Sequence, residues 1–152
     1  MKNQESSDPK ELTIGMATYR DFDGVYFTVQ ALRLYQDLGD TELLVIDNYG
    51  CEDTRKFVGD VPGARYIRLE GVTGTALPRD RVFREATGEA VLCVDCHILL
   101  VPGAIARLRR YYREHPDCLD RVSVEHRAVR VCEIGDGTHV VAKPVLVRDP
   151  GD

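Results

Sequence analysis

The segment Cys93-Val94-Asp95-Cys96-His97 puts two thiols, a carboxylate and an imidazole within five consecutive residues. Its letters match C-x-x-C, a zinc or redox pattern, and C-x-x-C-H, a haem-attachment pattern. Both need export or a turn that brings the two sulfurs together. Here the surrounding Val91 to Leu99 reads as strand, and residues three apart on a strand point to opposite faces. Cys93 and Cys96 are therefore expected to diverge, and no second cysteine pair completes a zinc site. Asp95 and His97 are two apart and share a face if the strand persists that far. Such a pair, projecting beyond a strand end, can hold a divalent cation whose other ligands are diphosphate oxygens and water. The same residues are equally compatible with an aspartate capping a turn beside a loop histidine.

The elements that must position this segment follow from apolar patterning. Leu12 to Ala17 suits a strand, with Thr18-Tyr19-Arg20 as the loop after it. Apolar residues then recur at helical spacing (Phe27, Ala31, Leu34, Tyr35, Leu38), with Gly39 as the expected C-terminal cap. Leu43 to Ile46 predicts a second strand closed by Asp47 and Asn48. Thr54 to Val58 follows as a short polar helix, Val61-Pro62-Gly63 as a turn, and Tyr66 to Leu69 as a third strand. A loop bearing Gly71 and Gly74 leads to a helix with Val82, Phe83 and Ala86 inward, which Gly88 ends. Ala90 to Val94 predicts the fourth strand. Pro102 is read as the first residue of a last helix, with Ile105, Leu108 and Tyr112 inward and Pro116 beyond it.

Strands that alternate with helices and are apolar on both faces predict an α/β fold, a mostly parallel Rossmann-like sheet with helices on both faces. Ligands of such sheets bind outside the carboxyl ends of the strands. Those ends collect Thr18, Tyr19, Asp47, Asn48, the Gly71 to Gly74 loop and Asp95 to His97. From Asp120 the texture changes. Val122-Ser123-Val124 and Ala128 to Ile134 alternate like strands, Gly135-Asp136-Gly137 suits a turn, and Val140 to Val147 returns with Pro144 at an edge. The expected organisation is a flexible lead-in over 1–11, one binding domain over 12–117, and a divergent tail over 118–152 forming a C-terminal β-hairpin.

Composition excludes some partners. A formal net charge of -5 gives no global basic field to recommend nucleic acid. The run Arg107, Arg109, Arg110 and Arg113 reads as a solvated helix face. No stretch approaches the ~18 apolar residues of a transmembrane helix. Met1 to Glu11 lacks the apolar centre of a secretory signal, and five cysteines are an odd number without framework spacing. Reduced thiols in a cytoplasm are the expectation.

Four blocks then carry a family resemblance. Leu12-Thr13-Ile14-Gly15-Met16-Ala17-Thr18-Tyr19, Leu44-Val45-Ile46-Asp47-Asn48, Gly74-Thr75-Ala76 with Arg79-Asp80, and Ala86-Thr87-Gly88-Glu89-Ala90-Val91-Leu92-Cys93-Val94-Asp95 resemble, in order and spacing, family 2 glycosyltransferases. The resemblance covers about residues 12–117 and implies a GT-A fold. It also implies a nucleoside-diphosphate sugar as donor, a divalent metal, and inverting transfer of the sugar to an acceptor hydroxyl. In that family the first strand's loop and the acid ending the second strand hold the nucleoside, which implicates Thr18, Tyr19 and Asp47, with Asn48 beside it. The basic residue of the helix after the third strand lies near the diphosphate, which maps to Arg79. The D-x-D motif binds ribose, metal and diphosphate, and its matching positions are Asp95 and His97.

Histidine in place of the second acid favours manganese over magnesium, because manganese accepts an imidazole more readily. After Asp117 no block matches the acceptor region that carries the family's acidic general base. Glu125, Glu133 and Asp136 read as surface residues of a strand or turn. The alternative function is therefore a non-catalytic nucleotide-sugar-binding module that lacks the acceptor half. Ala17 to Asp23 lacks G-x-G-x-x-G, which argues against a dinucleotide site. It also lacks the glycine- and basic-rich loop of a nucleotidyltransferase.

Overall fold

A computed structural model describes residues 10–114. Four parallel strands carry the architecture: β1 (Lys10–Thr18), β2 (Thr41–Asp47), β3 (Ala64–Arg68) and β4 (Gly88–Asp95), in the order β3-β2-β1-β4. Between and after them run α1 (Phe22–Tyr35), α2 (Glu52–Gly59), α3 (Ala76–Glu85) and α4 (Ala104–Glu114). Strand alternation sends successive side chains to opposite faces. Leu12, Ile14 and Met16 of β1 pack with Leu43, Val45 and Leu92 against Val25, Val29 and Leu32 of α1, Val58 of α2 and Ile105 of α4. On the other face Leu44, Ile46, Val91 and Cys93 pack against Val82 of α3 and Ala86. The predicted parallel α/β sheet, covered by helices on both faces, is what the chain forms.

The chain moves outward from β1 to β2 to β3, then crosses over the second face through α3 and returns beside β1. Strand order thus reverses between β1 and β4, the switch point where an open sheet leaves a crevice at its carboxyl edge. Close approach of α3 depends on Gly15 of β1. A Cβ there would lie 2.2 Å from Cγ1 of Val82.

Several expected boundaries are corrected. Lys10 and Glu11, assigned to the lead-in, belong to β1. Helix α1 starts at Phe22, because Asp21 caps it by accepting the Gly24 N–H at 2.9 Å. Its buried stripe is Val25, Thr28, Val29, Ala31 and Leu32, whereas the expected inward residues Phe27, Leu34 and Tyr35 are exposed. The helix ends before Gly39, since Gln36 turns to extended backbone. Its side-chain amide there serves α4 and the segment before it, accepting the Ile105 N–H at 3.1 Å and donating to Val101 O at 2.9 Å.

Gly88 does not end α3. Ala86 does, and Gly88 opens β4, where a Cβ would lie 2.5 Å from the Thr13 nitrogen. Pro102 lies in the turn ahead of α4 rather than at its first residue. Arg109, expected on a solvated face, packs its guanidinium against Leu38 O at 2.6 Å and lies 3.5 Å from a Glu11 carboxylate oxygen. No helix among the described residues is long and apolar enough to cross a membrane. The expected C-terminal β-hairpin, Pro116, and Glu125, Glu133 and Asp136 lie outside the described residues.

Candidate functional site at the carboxyl edge of the sheet

Parallel register levels the strand ends. Thr18 pairs with Asp47, and Ala17 pairs with Asp95. The polar residues that follow β1, β2 and β4 therefore meet along one edge.

At the β2 end, Asp47 is fully buried. Its Oδ1 accepts the backbone N–H groups of Tyr49 and Gly50 at 2.8 and 2.9 Å. Oδ2 accepts the Cys51 N–H at 2.7 Å and the Tyr66 hydroxyl at 2.8 Å. A carboxylate offers about four acceptor positions, and protein donors fill them. Asp47 was expected to hold the nucleoside. Here its carboxylate is engaged by the backbone of residues 49–51 and by Tyr66, and so shapes that loop. Burial beside this carboxylate, and the hydrogen bond to it, push the Tyr66 phenol well above its ordinary range.

Asn48 ties three segments together. Its backbone N–H donates to Thr18 O at 3.2 Å, and its side-chain amide donates to Gly74 O at 3.1 Å and Val72 O at 3.4 Å. The glycine-bearing loop is thus anchored to both central strands. Thr18 is buried, its hydroxyl 3.4 Å from Asp21 O. Tyr19, by contrast, is exposed and meets Tyr49 edge to face at 5.6 Å. The Arg20 guanidinium lies over the Tyr49 ring at 4.3 Å. Arg20 also has a φ of 56°, a left-handed conformation uncommon outside glycine. Neither Arg20 nor Tyr49 was singled out from sequence. No periodicity marks them, because they act as an aromatic and cationic surface rather than as a motif.

At the β4 end the strand stops at Asp95, and Cys96-His97 form a turn. The condition for Asp95 and His97 to share a strand face is therefore not met. Asp95 is half exposed and ion-paired with Arg79 of α3; both were expected to serve the nucleotide sugar, and Asp95 the metal as well. His97 instead lies beside Asp21, with Nδ1 3.4 Å from Oδ2. Cys96 is buried, and its Sγ is 3.6 Å from the same Asp21 oxygen. Burial above all pushes the Cys96 thiol up to about 11; the Thr18 hydrogen bond opposes it, and the Asp21 charge adds a smaller upward push. Cys93 faces the opposite core, so the two cysteines diverge as expected. Among the described residues, Cys51, Cys93 and Cys96 form no disulfide.

The turn is held from α1. The buried Thr28 hydroxyl accepts the Ile98 N–H at 3.0 Å, and its single proton lies between the carbonyls of Cys96 and Ile98, each 3.0 Å away. Asp21 escaped the sequence reading, although an aspartate just ahead of Phe22, Val25 and Val29 carries an N-cap pattern.

The sequence profile of glycosyl transferase family 2 matches residues 13–129. Among solved structures, the chain is similar to the 1–349 fragment of S. aureus TarS in complex with UDP. Identity is 20% and the TM-score 0.62, over 70% of this chain and 33% of that one. It is also similar to a longer S. aureus TarS structure, at 21% identity and a TM-score of 0.63, over 79% of this chain and 23% of that one. A third is the mannosyltransferase PcManGT from Pyrobaculum calidifontis in complex with GDP-Man and Mn2+. Identity there is 20% and the TM-score 0.56, over 74% of this chain and 34% of that one. The chain thus spans about a third or less of the length of these structures. No curated protein matches it. The likeness establishes the GT-A fold.

Proposed function

The chain belongs to glycosyl transferase family 2, and from that premise we propose that the carboxyl edge of its sheet binds a nucleoside-diphosphate sugar with a divalent cation. The bound sugar is then transferred, with inversion, to an acceptor hydroxyl. One observation carries the reading. Residues distant in sequence meet on one edge at the switch point: Thr18 and Asn48 through a backbone hydrogen bond, Arg79 and Asp95 through an ion pair. UDP in one similar structure, and GDP-Man with Mn2+ in another, support the donor class.

On this reading Tyr19, exposed beside Tyr49 and Arg20, offers a ring for the base to stack on. Thr18 and Asn48 hold the nucleoside side of the site. Asp47 contributes by fixing the loop after β2. Arg79 binds the diphosphate as a charge-assisted donor, drawing its guanidinium from Asp95 and releasing that carboxylate toward ribose or cation. His97 and Asp95 offer one nitrogen and one oxygen donor, a set that suits a transition cation such as Mn2+ better than Mg2+. Such a cation would supply Lewis-acid stabilisation of the leaving diphosphate. The acceptor oxygen forms its bond to the anomeric carbon as the bond from that carbon to the diphosphate oxygen breaks. The hydroxyl proton passes to a general base, a role we assign to none of the described residues. We place the reaction in the cytoplasm, where free thiols persist.

Calorimetry with UDP-, GDP- and dTDP-sugars in Mn2+, alongside assays of hydrolysis and transfer, tests the reading. Saturable binding of one donor with Mn2+-dependent turnover is expected. Binding without turnover would reduce the protein to a nucleotide-sugar-binding module, and an absence of both would leave only the fold.

A further inference from the structure

The turn after β4 gathers three donor atoms that neither the family resemblance nor the paired-residue reading assigned together. Oδ2 of Asp21, Sγ of Cys96 and Nδ1 of His97 all lie within 4.8 Å of one another. The edges of this triangle are 3.6 Å from Asp21 to Cys96, 3.8 Å from Cys96 to His97 and 3.4 Å from His97 to Asp21. Zinc binds thiolate at about 2.3 Å and imidazole or carboxylate at about 2.0–2.2 Å. In a tetrahedron those bonds separate sulfur from nitrogen or oxygen by about 3.5 Å, and nitrogen from oxygen by about 3.4 Å. The observed triangle has the size and proportions of one face of that tetrahedron, with its longest edges at the sulfur.

The donors are also held in place. Asp21 spends Oδ1 on the Gly24 N–H at the start of α1, which fixes the carboxylate and leaves Oδ2 toward the turn. Thr28 clamps the carbonyl of Cys96 and the N–H of Ile98 on either side of His97. Oriented ligands of this kind are what a metal centre requires from its surroundings. The His97 side chain is 68% exposed and that of Asp21 38%, so the cluster is reached from solvent on that side.

We propose that Asp21, Cys96 and His97 form a zinc site with three protein ligands and a fourth position open to water or to an oxygen of a bound ligand. A sulfur, nitrogen and oxygen donor set selects Zn2+ over the hard cations Mg2+ and Ca2+, and over Mn2+. Asp95, ion-paired with Arg79, lies outside this triangle and is not a ligand of the zinc site. On binding, the thiol proton is released to solvent. The site requires no nucleotide, so it stands or falls separately from the donor reading, with which it shares only His97.

The test uses the full chain stripped of metal, titrated with ZnCl2 against a chromogenic chelator, without nucleotide. Wild type should bind one zinc ion at this site. His97→Ala and Cys96→Ser should each weaken binding by about a hundredfold, in keeping with loss of one of three protein ligands. Asp21→Asn keeps a side-chain acceptor for the α1 cap and should weaken it about tenfold. Cys93→Ser, on the opposite face, should leave it unchanged. With Co2+ in place of zinc, the protein should show a thiolate-to-metal charge-transfer band and a four-coordinate visible spectrum, both lost in Cys96→Ser. His97 is exposed, so its variant keeps the fold and decides the matter even if Cys96→Ser misfolds. Zinc affinity unchanged in His97→Ala overturns the proposal. So does a Co2+ spectrum without sulfur ligation, or a loss that follows Asp95→Asn instead of Asp21→Asn.

Discussion

Asp47 and Asp95 close β2 and β4 on either side of β1, at the same edge of one sheet. Asp47 is 0% exposed and takes three backbone N–H groups and a phenol hydroxyl. The Asp95 side chain is 49% exposed and has Arg79 for its ion-pair partner. Identical residue types in equivalent places thus differ in what they have left to offer. A carboxylate whose lone pairs are filled from its own backbone sets the shape of a loop. One that shares a single exposed guanidinium can exchange it for a ligand. The resemblance places both in the donor site, but their bonding states divide the labour between them.

The comparison is broken most directly at Asp47. Replacing it with alanine strands three backbone donors and the Tyr66 hydroxyl. Each buried unsatisfied group costs about 1–3 kcal/mol, and partial rehydration of the loop moderates the sum. We expect Asp47→Ala to lose about 3–5 kcal/mol, read as a lower urea midpoint at unchanged slope. A loss below about 0.5 kcal/mol, the level of ordinary surface substitutions, would show that the loop holds itself and that Asp47 is as free as Asp95.

A second spent carboxylate, at the opposite edge of the sheet, sharpens the contrast through pH. Glu42 accepts the Thr13 hydroxyl at 2.7 Å, the Thr87 N–H at 2.9 Å and Arg65 Nε at 2.9 Å. Burial pushes its carboxyl up, but the Thr87 and Thr13 hydrogen bonds and the Arg65 charge outweigh it, and the group ends below its ordinary value. Its folded pKa being lower than its unfolded one, Glu42 adds stability above the ordinary glutamate range of about 4.3. That contribution is lost as pH falls through the lower folded value. Glu42→Gln should cost about 1–2 kcal/mol at pH 7, with the gap to wild type narrowing as pH falls below about 4. Denaturation at pH 7, 4 and 3 measures it. A gap that is constant with pH would remove Glu42 from the class of charge-assisted structural acids.

The same distinction explains what the sequence disclosed. Strand identity, the mostly parallel sheet and the edge at which polar residues collect followed from apolar runs such as Leu43 to Ile46, because a strand buried on both faces leaves no polar alternation to misread. Helix α1 was misplaced because Phe27, Leu34 and Tyr35 form an apolar stripe of their own on its solvent side, competing with Val25, Val29 and Leu32. Periodicity alone does not say which stripe faces the sheet. The cap at Asp21 fixes where the helix starts, and packing on the sheet selects the face. At the site, residue types and their approximate places were legible, but partners were not. That Asp95 meets Arg79 while His97 meets Asp21 depends on β4 ending at Asp95 and the chain turning there. A one-residue change in where a strand stops exchanges such neighbours.

The smallest effect on stability is expected at Asp95, and there the comparison is most exposed to refutation. Its ion pair with Arg79 is partly solvated on both sides, 31% exposed for the arginine and 49% for the aspartate. Pairs of that kind contribute about 0–1 kcal/mol, so Asp95→Ala should leave the urea midpoint nearly unchanged. Affinity for a nucleotide sugar in Mn2+ should nevertheless fall by about ten- to a hundredfold, the equivalent of one hydrogen bond to a charged group. The decisive pattern is the cross between the variants: Asp47→Ala loses the fold's stability, and Asp95→Ala keeps it while losing the ligand. Calorimetry on Asp95→Ala, at a concentration where its folding is verified by circular dichroism, reads the second half. Unaltered affinity would mean that Asp95 serves only to hold Arg79, and that both aspartates are structural after all.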